Sequence, residues 1–178
     1  VGPWVVLVAS DREDAHALER ARARGVEAVF VDPSAHADRT SYDRDLLGLL
    51  GAREIDVVAL AGFMRLVGPE LVRVFEGRML NVHPALLPAF PGTTSVADAL
   101  AWGVKVTGVT VHFVDEDVDH GPIVFQEAIP VFADDDWDAL EARVHELQTT
   151  RARLQSAVND ADRAFAAQPT PTWIVDVE

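Results

Sequence analysis

Apolar residues fall in short continuous blocks separated by helix-forming stretches, the pattern of strands buried on both faces and joined by crossover helices. Residues 5–9, VVLVA, are the first block. Residues 11–25, DREDAHALERARARG, are rich in strong helix formers and close on Gly25, a good C-terminal cap, with His16 on the surface. Residues 27–31 read as a second strand ended by the Asp32-Pro33-Ser34 turn. A helix is predicted over 40–50, where Leu46, Leu47 and Leu50 have core-facing spacing. The clearest strand is 56–61, DVVALA, with Gly62 at its carboxyl end. Gly68-Pro69 then opens a helix to Phe75, and Gly77 turns the chain into a strand from Met79.

Pro84, Pro88 and Pro91 forbid a helix after that strand. Ser95 is placed to cap a helix that reaches Trp102 and stops at Gly103. Residues 106–113 alternate, with Val109, Val111 and Phe113 on one face and Thr110 and His112 on the other, so His112 reads as a half-buried strand residue. An acidic loop leads to a strand over 123–131. Asp134, Asp135 and Asp136 then precede a helix predicted from Trp137 to Phe165. Gln168-Pro169-Thr170-Pro171 breaks it, leaving Trp173-Ile174-Val175 as an edge strand or ordered tail. Strands alternating with helices predict an α/β, Rossmann-like, mostly parallel sheet in a single domain, 1–178. Residues 5–9 are expected to pair directly beside the 56–61 strand.

Composition narrows the function. A chain of 178 residues, 49% hydrophobic, can bury one sizeable core. Its formal net charge of -14 repels phosphate backbones, which argues against a nucleic-acid partner; Arg20, Arg22 and Arg24 read as a solvated helix face. The absence of cysteine excludes disulfides, thiolate chemistry and a Cys-based zinc site. No apolar run approaches the roughly 20 residues of a membrane helix, and VGPW lacks a signal peptide's basic start, so a cytoplasmic location without a membrane partner is expected.

The candidate chemistry sits in MLNVHPALLPAFPG. Strand alternation puts Asn81 and His83 on one face. An amide donor beside an imidazole, held at a strand's carboxyl end, suits polarising a carbonyl while handling a proton. A histidine after a strand also has a purely structural reading, and residue type leaves both open. Asp119, from the acidic loop, is positioned by a strand-loop-strand unit to return beside His83, orienting the ring and raising its pKa. After the 56–61 strand, Phe63, Met64, Arg65, Leu66 and Val67 follow the end where open parallel sheets bind ligands, although Phe63 and Met64, taken by themselves, read as core.

The runs DVVALAGFMRLVGPELV, GRMLNVHPALLPAFPG and VTGVTVHFVDEDVDHGPIVFQEAIPV closely resemble the folate-dependent formyltransferases, in their glycinamide ribonucleotide branch. The resemblance covers residues 5–146, and 147–178 diverge. It implies formyl transfer from 10-formyltetrahydrofolate to the amine of glycinamide ribonucleotide in purine synthesis, without a metal, and is compatible with a homodimer. By position it makes Asn81, His83 and Asp119 the catalytic trio. Phe63, Met64, Arg65, Leu66 and Val67 with Asp115, Glu116, Asp117 and Val118 match the walls of the folate site; Arg39, Gly62 and Pro84 match residues that hold the ribonucleotide.

The departures also carry expectations. That family's first strand and its Gly-x-Gly-x-Asn loop, which cradles the substrate phosphate, find no match, because VVLVASD aligns with the second strand. Thr93 and Thr94 stand where relatives often carry histidine, and Gln148 where they usually carry glutamate. The turn Ser10-Asp11-Arg12-Glu13-Asp14 opposes an anion, and Arg39 is a poor replacement for a nest of amides, so weak ribonucleotide binding is expected. A folate-binding protein without transfer activity and a formyltransferase acting on another amine, such as an amino sugar, are the alternatives.

Overall fold

The computed structural model describes residues 4–149 and 172–176. The chain divides into two compact units, one of residues 1–80 with 168–178 and one of residues 81–167.

In the first unit, strand β1 (Trp4–Ser10) leads through helix α1 (His16–Ala23) to β2 (Glu27–Phe30), and helix α2 (Arg39–Gly51) leads to β3 (Val57–Ala61) and α3 (Pro69–Val74). A single turn of 3-10 helix, Pro33–Ala35, replaces the Asp32-Pro33-Ser34 turn, with the Asp32 side chain accepting from the Ser34 amide. Helix α1 starts later than its composition implies. The residues before it form a turn in which the Arg12 amide donates to Ser10 Oγ at 3.1 Å and its guanidinium meets Asp14 at 3.4 Å. Such short polar side chains offer the backbone an alternative to helix. Helix α2 begins at a capping box, the Ser41 amide donating to Asp38 and the Asp38 amide donating to Ser41 Oγ. One face of α1 buries Ala17, Leu18 and Ala21 against Val8, with Val26, Ala28 and Phe30 packed around them.

The last strand, β7 (Thr172–Asp176), returns to this unit and corrects two expectations. The strand order is β2-β1-β7-β3, with β7 parallel to both neighbours. Trp173 is thus a register partner of both Val5 and Val57, and Ile174 of both Leu7 and Val58. The segment is neither an edge strand nor a tail, and β1 does not pair with β3. A gap between two parallel strands leaves rows of amides and carbonyls unsatisfied, and a strand inserted between them removes that cost.

In the second unit, β4 (Met79–His83), whose first two residues are grouped with the first unit, neighbours β5 (Val106–Phe113), and β5 neighbours β6 (Ile123–Pro130). Strands β5 and β6 are antiparallel, Val106 opposite Pro130 and Val109 opposite Glu127. Their connection closes with the Phe113 amide donating to the Pro122 carbonyl at 2.9 Å. A Cβ on Gly121 would lie 1.9 Å from the Phe113 oxygen, so only glycine permits this closure. Helices α4 (Ser95–Trp102) and α5 (Trp137–Thr149) complete the unit. Val96 and Ala99 of α4, Val109 and Val111 of β5, and Leu140, Val144 and Leu147 of α5 are buried. Asp136 caps α5 through the Ala139 amide, and Asp135 grips Arg143 by two bonds, which hold its carboxyl down at about 2. The predicted continuation of this helix to Phe165, and the Gln168–Pro171 break, lie outside the described residues.

The central position of β7 is testable. Ile174→Pro removes a ladder donor and leaves an interior carbonyl unpaired, and we expect it to lower unfolding stability by about 2 kcal/mol or more in a urea titration. An unchanged midpoint would mean that the sheet does not depend on this strand.

Candidate active site

Strand β4 ends in the second unit with alternate residues on opposite faces. Leu80 and Val82 are buried, and Asn81 and His83 share the other face. The acidic loop after β5 returns Asp119 to them. His83 Nδ1 is 3.3 Å from Asp119 Oδ2, and Asn81 Nδ2 donates to Asp119 Oδ1 at 3.4 Å. Asp119 has φ 53, a left-handed conformation that aspartate tolerates better than most residues. Its Oδ2 also accepts the Gly92 amide at 2.7 Å, so the carboxylate links the loop, the proline segment and the imidazole.

His83 is 3% exposed, and both its ring nitrogens face acceptors. Nε2 donates to the Phe90 carbonyl at 2.8 Å, which Phe90 presents from a left-handed backbone at φ 54. Burial is the largest influence on the ring and pushes its pKa below the ordinary histidine value; the Phe90 carbonyl and Asp119 pull it back up, and His112 pushes it down. The ring therefore rests neutral more readily than in water, while a second proton on Nδ1 has a seat against Asp119. The folded ring binds its proton less tightly than the unfolded one, so stability falls as pH drops below the unfolded value of about 6.5.

Residues that the pattern alone left structural complete this cluster. His112 is buried, not half-buried; its Nδ1 donates to the Phe113 carbonyl at 2.8 Å, leaving Nε2 to accept from Asn81 Nδ2 at 3.1 Å. Ser95 does not cap α4, whose N-cap position is Thr94. Its hydroxyl donates instead to the Gly92 carbonyl at 2.9 Å and lies 3.2 Å from His83 Nε2. Thr110 donates to the Ala85 carbonyl at 2.7 Å and accepts the Leu87 amide at 3.0 Å, while Gln126 Nε2 donates to the Leu87 carbonyl at 2.8 Å. These bonds fasten the Pro84 turn and its proline-rich continuation to β5 and β6. The period-two alternation of Thr110 and His112 was the available signal for both.

The other sequence-predicted positions divide between the units. Asp115, Glu116, Asp117 and Val118 lie in the second, where Asp115 accepts the Asp117 amide at 3.0 Å and meets His120 Nδ1 at 3.1 Å. The His120 pKa is raised, first by that hydrogen bond. In the first unit, Gly62 turns at φ 75 after β3, and Met64 and Leu66 are 60% and 59% exposed rather than core. Arg65 bonds Asp11 at 2.6 Å, and Arg39 is exposed at the start of α2. Among the described residues no group of three or more His, Cys, Asp or Glu side chains is arranged to hold a metal ion, and no helix is long and apolar enough to cross a membrane.

The formyl transferase family matches residues 2–155. The chain belongs to the formyl transferase family. It is 48% identical over 154 residues to the phosphoribosylglycinamide formyltransferase of Mycobacterium tuberculosis, a match covering 86% of this chain and 70% of that protein. The corresponding enzyme of Bacillus subtilis is 39% identical over 142 residues, 80% of this chain and 73% of that one. The crystal structure of glycinamide ribonucleotide transformylase 1 from Symbiobacterium toebii superposes with a TM-score of 0.83 at 43% identity, covering 94% of this chain and 78% of that one. These likenesses agree with the α/β, mostly parallel sheet of this formyl transferase.

The carboxylate's influence on the ring can be read directly. Asp119→Asn removes a group that raises the His83 pKa, so an NMR titration of the imidazole C–H signals should find it lower still in the variant. An unchanged or higher value would show that the pair is not electrostatically coupled.

Proposed function

We propose that this formyl transferase transfers the formyl group of 10-formyltetrahydrofolate to the amine of glycinamide ribonucleotide, a step of purine biosynthesis. The observation that carries this reading is the cluster of Asn81, His83 and Asp119 in a chain 48% identical to a phosphoribosylglycinamide formyltransferase. The amine nitrogen attacks the formyl carbon, forming a tetrahedral oxyanion; the carbon–N10 bond then breaks, and the amine proton passes to the leaving nitrogen. Asn81 and His83 are assigned to the oxyanion, and Asp119 to holding His83 and moving the proton through water. In the ligand-free arrangement both amide hydrogens of Asn81 are committed, to His112 and Asp119, so the oxyanion competes with one of these partners. The step as drawn uses neither a metal nor a covalent enzyme intermediate.

We assign contacts with the formyl donor to Phe63, Met64, Arg65, Leu66 and Val67 and to Asp115, Glu116, Asp117 and Val118, and contacts with the ribonucleotide to Arg39, Gly62 and Pro84. The exposure of Met64 and Leu66 supports the first assignment, since apolar side chains held outward from a turn are free to meet a flat ring. The proposal carries a cytoplasmic location and small-molecule partners, and it allows a homodimer.

Formyl transfer followed by product chromatography tests the reading. Asn81→Ala should lower kcat by roughly a hundredfold or more, the usual consequence of losing an oxyanion donor, with the affinity for a folate analogue nearly intact. Loss of analogue affinity without loss of turnover would place Asn81 in binding instead. Calorimetric titration with each substrate separates this activity from folate binding alone: binding of both the folate analogue and the ribonucleotide supports transfer, and binding of the analogue alone supports a folate-binding protein.

A further inference from the structure

We propose that Asp11 and Asp43 are positioning residues that fix the segment Phe63–Val67 in its donor-binding shape. The inference rests on the donor assignment above and deepens it.

The segment is poorly supported from below. A partly open pocket of about 40 Å³ borders it, lined by Phe63 and Val67 from the segment, Leu46 and Leu50 from α2, and Val58 and Leu71, with Asp11 and Tyr42 also on its wall. Voids forfeit the dispersion contacts that otherwise hold a turn in one place. Polar ties at the rim supply what packing does not. On one side Arg65 Nε donates to Asp11 Oδ2 at 2.6 Å, and its guanidinium carbon sits 5.9 Å from the ring centre of Tyr42, itself buried in α2. Asp11 directly follows β1, so this pair fastens the middle of the segment to a neighbouring strand end.

On the other side, Asp43 in α2 is only 6% exposed and packs closely against the backbone of Gly68, the residue that follows the segment and precedes α3. The fit is close: a Cβ on Gly68 would lie 2.1 Å from Asp43 Oδ2. Burial raises the Asp43 pKa, and the Gly68 amide and the Arg39 charge oppose that rise. A buried carboxylate needs groups that favour its charge, and here these are the Gly68 amide and Arg39, an arginine assigned to substrate. On either side of the Arg65 tie Met64 and Leu66 stand outward, 60% and 59% exposed. An exposed apolar pair held in place by charged groups at Arg65 and beside Gly68 lowers the ordering cost of binding, the energetic gain of preorganisation.

The test uses the full chain and 5-formyltetrahydrofolate, which carries its formyl group where it is not transferred. Asp11→Ala and Asp43→Ala should each weaken its binding about tenfold, and Asp43→Asn, which keeps an acceptor for Gly68, should restore it to within about threefold. With the reactive donor, the donor KM should rise while kcat at saturation stays within about twofold. Backbone hydrogen exchange at residues 63–68 should accelerate in both alanine variants and not in Asp43→Asn. Unchanged exchange and unchanged affinity in Asp11→Ala would overturn the proposal, as would a fall in kcat with KM unaltered. Should Asp43→Ala not fold, Asp11→Ala decides the matter alone. Failure of the unaltered chain to bind 5-formyltetrahydrofolate would instead overturn the donor assignment, and the exchange rates would still decide whether the carboxylates hold the segment.

Discussion

Two parallel strands whose facing edges lack partners cannot remain in the interior of a sheet, and in the first unit β7 satisfies that requirement for β1 and β3 at once. Much else follows from it. The carboxyl end of β1 carries Asp11 and that of β3 carries Gly62 and the segment with Arg65, so the 2.6 Å contact between Asp11 and Arg65 depends on strands that meet through a third. Five residues of regular backbone thereby set the register in which a surface ion pair closes. The pair itself, partly exposed, would contribute little to stability in isolation; its value lies in the geometry that it fixes.

The cluster of Asn81, His83 and Asp119 in the second unit solves a different problem. A buried imidazole is a poor place for a charge, yet proton handling needs a ring whose charged form stays within reach. The Phe90 carbonyl and the Asp119 carboxylate offset part of the desolvation without abolishing it. Both offsets come from left-handed backbone, at Phe90 and Asp119, and such conformations persist when surrounding bonds over-determine them. The Gly92 amide on Asp119 and the Ser95 hydroxyl on the Gly92 carbonyl are bonds of that kind.

Strand and helix types were legible because the apolar blocks are short, unbroken and bounded by Gly and Pro, as at 56–61 and around Met79. The Asn81 and His83 pairing was legible for the same reason, since period two is a local property. Polar networks that cross elements were not. Nothing in the string HFV announces that His112 accepts from Asn81, and nothing in PGTTS announces that Ser95 turns toward His83 rather than onto the helix end. The place of β7 escaped for a related reason. Its short apolar run reads as strand, but whether a strand lies at an edge or in the centre is decided by which neighbours lack a partner.

The order of the chain gives the place of β7 a consequence during synthesis. Val5 and Leu7 pair with Trp173 and Ile174, so β1, which precedes β7 in the chain, waits for it before this edge is closed. Through that interval β1 and β3 are adhesive strands, open to any extended peptide in the cell, and a chaperone that shields them until β7 emerges has a defined stretch of backbone to cover.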